Sequence, residues 1–182
     1  MNIFYIDEDP VQAAEWMVDR HVVKMILESA QLLSTAHRLL DGVEYVGTTA
    51  TGRKAKRWKL EDARDPIIYS ATHINHPSTV WTRTSVENYQ WLVDHFFALM
   101  QEYTHRYGKK HACYGDLSYA LASPPMNLKA WDKTPIIPAM ADEFIISDDP
   151  VTNYRNYYRN GKKHLFAWTK REPPDWLNIS DT

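Results

Sequence analysis

Residues 19–31 read DRHVVKMILESAQ, Asp19 to Gln31. Val18, Val22, Met25, Ile26 and Leu33 recur at helical spacing, so the stretch belongs to a helix with one face in a core. The same helix carries three titratable side chains, His21, Lys24 and Glu28. At about 100° per residue, His21 and Glu28 fall within about 20° of each other. Lys24 and Gln31 sit beside them and Thr35 continues the line, so a polar stripe runs flush against the buried face. Two readings fit. Lys24 and Glu28 form an i,i+4 surface pair worth about 0.3 kcal/mol, with His21 at the boundary. Alternatively the stripe walls a cleft, where apolar neighbours raise a carboxylate's pKa and a nearby lysine lowers it, as suits a general acid or base.

Outward from this stretch, Pro10 to Leu40 holds no Gly and no further Pro. Asp9 is a fitting N-cap, Pro10 suits the first helical position, Gln12 completes a capping-box-like pattern and Asp41-Gly42 ends the run. One long helix over 10–40 is predicted. A second is predicted from Ser78 to about Tyr107, stopped by Gly108, with Trp81, Ser85, Asn88, Leu92, His95, Leu99 and Tyr103 near one face. Shorter helices follow at Ala112–Ala122, from Asp149-Pro150 to about Asn160, and at Lys162–Lys170. Asn2–Ile6 reads as a short strand or an extended lead-in, and 42–77 is the least periodic part. The expected architecture is mainly α: a single compact domain over 1–182, two long helices plus shorter C-terminal helices, and little or no sheet.

Composition narrows the function. Hydrophobic residues at 44 % and charged residues at 24 % are ordinary for a soluble globular chain of 182 residues. Aromatics reach 13 %, which serves either a core of large rings or a surface that stacks on bases. A net charge of −2 argues against a protein that coats DNA through overall basicity, so any nucleic-acid contact must use a local basic face. The lone Cys113 fits a reducing cytoplasm. MNIFYIDEDP lacks the basic, then apolar, pattern of a signal peptide, and no apolar run is long enough to span a membrane; a cytoplasmic location is expected.

Two further segments could face the stripe. HPSTVWTRTSVENYQW offers His76, Trp81 and Arg83, the last able to clamp an anion. NYRNYYRNGKKH interleaves Arg155, Arg159, Lys162 and Lys163 with Tyr154, Tyr157 and Tyr158, which suits a phosphate backbone with bases stacked on rings. An amphipathic helix with its tyrosines in the core fits equally well. TGRKAKRWK brings Arg53, Lys54, Lys56 and Arg57, either a solvated loop or a nucleic-acid contact; RYGKKH adds Arg106 and Lys109. No phosphate-cradling GxxxxGK[ST] is present. The His73/His76 and His105/His111 pairs lack matching Cys or carboxylate ligands, so neither metal nor cofactor is expected.

The Asp19-x-His21 pattern, with Glu28 seven residues after the His, resembles the first helix of phage pyrimidine-dimer glycosylases of the endonuclease V type, and the His76-Pro77 turn is similar to that wider group. The resemblance implies a mostly helical fold, Glu28 as the catalytic carboxylate, His21 as a pocket residue and an N-terminal amine as nucleophile. That family exposes a small residue after Met removal; here residue 2 is Asn, which argues for a retained Met1. Over a longer stretch, the set formed by His21, Lys24, Glu28, His76, Trp81, Arg83, Arg106, Lys109, His111, Tyr154, Arg155, Tyr157, Tyr158, Phe166 and Trp168 resembles small phage and bacterial proteins that overlap the thymine-hypermodifying enzymes. Those imply a transferase in which an amine, a free amino acid or a polyamine, displaces pyrophosphate from an activated 5-hydroxymethyluracil in DNA. The expectation is therefore a DNA pyrimidine enzyme, transferase first and dimer glycosylase/AP lyase second. Glu28, His21 and Lys24 are then catalytic. Arg53, Lys54, Lys56, Arg57, His76, Arg83, Arg106, Lys109, Arg155, Arg159 and Lys162 meet phosphate, and Trp81, Tyr154, Tyr157 and Tyr158 stack on a base. A non-catalytic nucleic-acid-binding module and an enzyme on free nucleotides are the other readings.

Overall fold

Two helices of more than twenty residues pack against each other at the centre of the molecule: α2, Asp19–Asp41, and α4, Val86–Tyr107. The computed structural model describes residues 1–178. A short α1, Pro10–Trp16, lies along α4; α3, Pro77–Thr82, lies on α2; α5 is Asp116–Leu121 and α6 is Pro150–Gly161. Strands β1, Val43–Thr48, and β2, Lys54–Lys59, form an antiparallel hairpin between α2 and α3, in register from Val43 opposite Lys59 to Thr48 opposite Lys54. The mainly α expectation holds, with this one ribbon as the sheet among the described residues. Lys54–Lys59 is therefore strand rather than loop.

Both predicted long helices are interrupted. Asp9 caps α1 as expected, accepting from the N–H groups of Val11 and Gln12, but Met17 and Val18 turn extended before α2 begins. Neither Gly nor Pro marks this break. Its loose backbone groups are satisfied from far away: Arg106 donates to the carbonyls of Glu15 and Met17, both at 2.9 Å, and the carbonyl of Ala167 accepts from Asp19 N–H at 2.9 Å. A helix end buried without partners is unstable, so these contacts are what make the break possible. The second interruption has a local cause. The hydroxyls of Thr82 and Thr84 donate back to the carbonyls of Ser78 and Val80, and Ser85 then caps α4 by accepting from Asn88 N–H at 3.2 Å. At the far end Gly108 adopts the left-handed conformation (φ 68°) that closes α4, as the sequence predicts.

Asn2–Ile6 is no strand. It is a lead-in whose residues Ile3, Phe4, Tyr5 and Ile6 are all buried against the helices. Lys162–Lys170 is not a helix either; Lys163–Leu165 makes a single 3-10 turn. The core is strongly aromatic: Trp81, Tyr89, Tyr154 and Tyr158 are among its largest fully buried side chains. Most of the aromatic excess thus serves packing. No helix among the described residues is long and apolar enough to cross a membrane.

Candidate active site

The polar stripe of α2 does wall a cleft, of about 450 Å³. One wall is α2 itself, with Arg20, His21, Lys24, Met25 and Glu28. The lead-in supplies Met1, Asn2 and Phe4, and the opposite side is Ala139 with Tyr157, Lys162, His164 and Leu165. Glu28 is only 9 % exposed. Its two oxygens face different amines. Oε2 accepts from Asn2 N–H at 3.0 Å and lies 3.8 Å from the α-amine of Met1; Oε1 lies 3.2 Å from Lys24 Nζ. The Met1 side chain is packed into the core while the residue as a whole is half-buried, and the Lys24 side chain is 65 % exposed.

Asn2 is the joint that holds the terminus in place. Its Oδ1 accepts from the N–H groups of Ile3 (2.8 Å) and Phe4 (3.0 Å), and its Nδ2 donates to Ala139 carbonyl at 2.7 Å. This side-chain turn bends the chain so sharply that Phe4 sits at φ 55°, in the left-handed region, where a bulky side chain is rare and strained by about 1–3 kcal/mol. The bend lays the Phe4 ring on His21, centroids 4.1 Å apart and nearly parallel. His21 Nδ1 shares a 2.6 Å hydrogen bond with the hydroxyl of Tyr158. Burial, and then the nearby charges of Lys162, Lys24 and His164, hold the His21 pKa down to about 3. His21 is thus neutral at physiological pH and positions the floor of the cleft. Burial likewise lowers His76, as do the charged terminus and His73, while Glu28 opposes them; this residue borders the site. Arg20, Lys24, Lys162 and the Met1 terminus share this cleft with one carboxylate, and the Met1 amine and Lys24 are the two that reach it. Lys162 Nζ also stands 4.7 Å from the centroid of the Tyr157 ring.

Of the residues singled out from sequence, His21, Lys24, Glu28, Tyr157 and Lys162 meet in this cleft, with His76 at its border. Several others are corrected. Trp81 is buried and donates its indole N–H to Thr134 carbonyl at 3.0 Å, so it offers no face to a base. Tyr154 and Tyr158 are fully buried, the first accepting from Ala139 N–H, the second backing His21. Arg106 is buried and saturated by Glu102, Asp19 and two carbonyls; it is a structural cation. Arg155 binds Asp7 and the Ile6 carbonyl, both at 2.8 Å, and lies over the rings of Trp16 and Trp176. Arg159 donates to Trp176 carbonyl. Arg83 ends α3 with Nη1 buried and, among the described residues, without a hydrogen-bond partner, and burial lowers its pKa. Lys109 is exposed just beyond α4. Arg53, Lys54, Lys56 and Arg57 stand on or beside the hairpin, Lys56 pairing with Glu44 at 2.9 Å.

Sequence reading missed Asn2, Phe4, Arg20, Ala139, His164 and Leu165. The Asn-x-aromatic start was visible, but nothing local shows that Asn2 turns the chain onto Glu28. Among the described residues, no three His, Cys, Asp or Glu side chains are grouped to hold a metal ion.

No curated protein and no solved structure matches the chain. A family model for pyrimidine dimer DNA glycosylase matches residues 1–115. That span holds the terminus, the whole α2 stripe and the His76-Pro77 turn; the wall from Ala139 to Leu165 lies outside it. The match covers more than half the sequence and carries the stripe on which the cleft is built, and it supports an enzyme that acts on pyrimidine bases in DNA: the chain belongs to the pyrimidine dimer DNA glycosylase family.

Proposed function

We infer that this protein is a pyrimidine-dimer DNA glycosylase with AP-lyase activity, and that an amine resting on Glu28 is its nucleophile. The observation that carries the reading is the buried Glu28 carboxylate with an amine on each oxygen, inside a cleft of otherwise cationic groups. In this chemistry the amine attacks C1′ of the damaged nucleotide. A nitrogen–carbon bond forms, the glycosidic bond breaks and the base leaves with its electron pair. The carboxylate takes up the proton that the amine sheds, and the imine that forms on the opened sugar permits loss of the 3′ phosphate. Of the two amines, the α-amine of Met1 is the better placed. Asn2 donates its N–H to the same carboxylate oxygen and so fixes the Met1 backbone against Glu28, whereas Lys24 reaches the other oxygen on a long side chain that is 65 % exposed. An Asn at position 2 does not count against this reading, because the Met1 amine itself stands beside the carboxylate.

Borohydride reduction on DNA carrying a thymine dimer or an abasic site tests this. The expected result is a covalent protein–DNA adduct that peptide mapping assigns to Met1. Trapping persists in Lys24→Met and falls by about 10²–10⁴ in Glu28→Gln, the usual worth of a positioned acid or base. An adduct on Lys24 transfers the nucleophile's role to that residue; no adduct with either DNA removes the lyase reading. The transferase reading uses the same cations for a departing pyrophosphate, but it needs a third component, the amino acid or polyamine, and family membership favours the glycosylase. Because a transferase makes no imine with the sugar, it leaves nothing for borohydride to trap.

A further inference from the structure

The β1–β2 hairpin is the part of the molecule that the cleft does not use. It carries five cations, Arg53, Lys54, Lys56, Arg57 and Lys59, against one carboxylate, Glu44, in a chain whose net charge is −2. It also exposes apolar side chains in a way that a solvated loop does not, with Val43 at 59 % and Val46 at 70 %. Yet its base is held firmly. Arg38, near the end of α2 and buried, donates to the carbonyls of Trp58, Asp65, Ile68 and Tyr69 and pairs with the Asp65 carboxylate, which in turn accepts from Leu60 N–H at 2.8 Å. Gly42, between α2 and β1, fits only because it lacks a side chain: a Cβ there would meet Arg38 carbonyl at 2.5 Å. The ribbon is thus a stiff extension of the helix that bears Glu28.

We propose that this hairpin is a groove-inserting ribbon that grips duplex DNA on the flank of the lesion, about six base pairs from the nucleotide held at Glu28. The inference rests on the DNA reading above and names how the duplex is held. Glu28 and Gly42 are fourteen residues apart, so α2 sets the ribbon's base about 20 Å from the carboxylate along the helix axis. At about 3.4 Å per base pair that is roughly six pairs. The major groove of B-form DNA admits a two-stranded ribbon. On one face of the hairpin Val46 and Thr48 of β1 stand opposite Lys56 and Lys54 of β2, and all five cations lie on or just before β2, so the ribbon has one apolar strand beside one basic strand. The tip, closed by Gly52 at φ 78°, presents Arg53. That arrangement suits base edges and thymine methyls against the β1 side with one phosphate strand along the β2 side, and it gives a chain of negative net charge the local basic face it needs.

The test compares wild type with an Arg53→Ala/Lys54→Ala/Lys56→Ala variant on a 25-base-pair duplex with a central thymine dimer, titrated against salt, and on the damaged strand alone. The three side chains are exposed, so thermal unfolding should be unchanged. The expected result is a duplex Kd at least about tenfold higher near 0.1 M salt and a salt slope smaller by nearly three, about 0.9 for each phosphate no longer neutralised. Affinity for the single strand should change much less, and an all-lysine-to-arginine version should keep duplex binding. An unchanged Kd and slope on the duplex overturns the ribbon's role, and an equal loss on the single strand overturns its insertion into a groove. Borohydride trapping at saturating protein keeps the two readings apart. If wild type traps nothing but the variant still loses duplex affinity, the ribbon stands and the lyase falls. If wild type traps and the variant binds duplex normally, the lyase stands and the ribbon falls.

Discussion

At the scale of single residues, the site depends on how one amide side chain shapes the terminus. Asn2 accepts two backbone N–H groups, donates to a third segment and presents its own N–H to Glu28. Replacement by Leu keeps the volume and a large second residue, so Met1 is retained, but it leaves the buried N–H groups of Ile3 and Phe4 unpaired. Asn2→Leu is expected to lower stability by about 2–3 kcal/mol, the desolvation cost of such groups. It should also slow borohydride trapping of the folded protein, because Phe4 no longer needs its left-handed turn and the amine drifts from Glu28. Chemical denaturation and single-turnover trapping measure the two effects separately; intact trapping would show that Asn2 does not set the amine.

At the scale of elements, the break between α1 and α2 is the feature that places the stripe. Were 10–40 a continuous helix, α2 would have no free N-terminus beside the C-terminal segments, and Asp19 could not meet Arg106 at 2.9 Å or Thr169 N–H at 2.9 Å. Arg106 holds this junction, and it has no surface. Its replacement by Met leaves Glu102 with Arg171 alone and Asp19 with Thr169 alone, and it frees two buried carbonyls. The loss expected is about 3–5 kcal/mol, as when one member of a buried pair is removed. DNA affinity of the protein that remains folded should be unchanged, measured below the lowered melting point. Loss of affinity without loss of stability would instead make Arg106 a phosphate contact. The runs of basic residues in the sequence do not distinguish these outcomes, because a cation's role depends on what lies opposite it.

At the scale of the whole molecule, three buried histidines link folding to pH. Burial lowers His21 to about 3 and His37 and His95 to about 4, with Arg64 adding to the effect at His37. In the unfolded chain a histidine titrates near 6.5. Below that pH the unfolded state takes up protons that the folded state refuses, so stability is fully present above about pH 6.5 and falls as pH drops towards 4. Each such histidine contributes at most about 1.4 kcal/mol per pH unit in that window. Glu102, Asp19 and Asp41 have carboxyl groups held low by their arginine and backbone partners, and they extend the loss to more acid pH. Melting temperature is expected to fall steeply between pH 7 and pH 5; a flat profile would mean that these histidines titrate freely and are not sealed in the core.

The helical periodicity, the Asp-Pro helix starts at Asp9-Pro10 and Asp149-Pro150, the stop at Gly108 and the placing of Glu28 beside a core face all follow from the sequence by itself. Each depends on residues within a few positions of one another: a cap reaches three residues, and an apolar stripe repeats every three or four. The tertiary structure alone decided the rest. Nothing near Met17 announces a break whose carbonyls are satisfied by an arginine some ninety residues away. Nothing near Tyr154 or Trp81 tells a stacking face from a core ring, because burial is a property of what packs against a side chain. The hairpin lay within basic residues that also suit a loop, and its pairing depends on the registry of two segments. Above all, the meeting of Met1 with Glu28 is a contact across the chain, made when the aromatic lead-in buries itself and Asn2 turns the terminus back onto the helix.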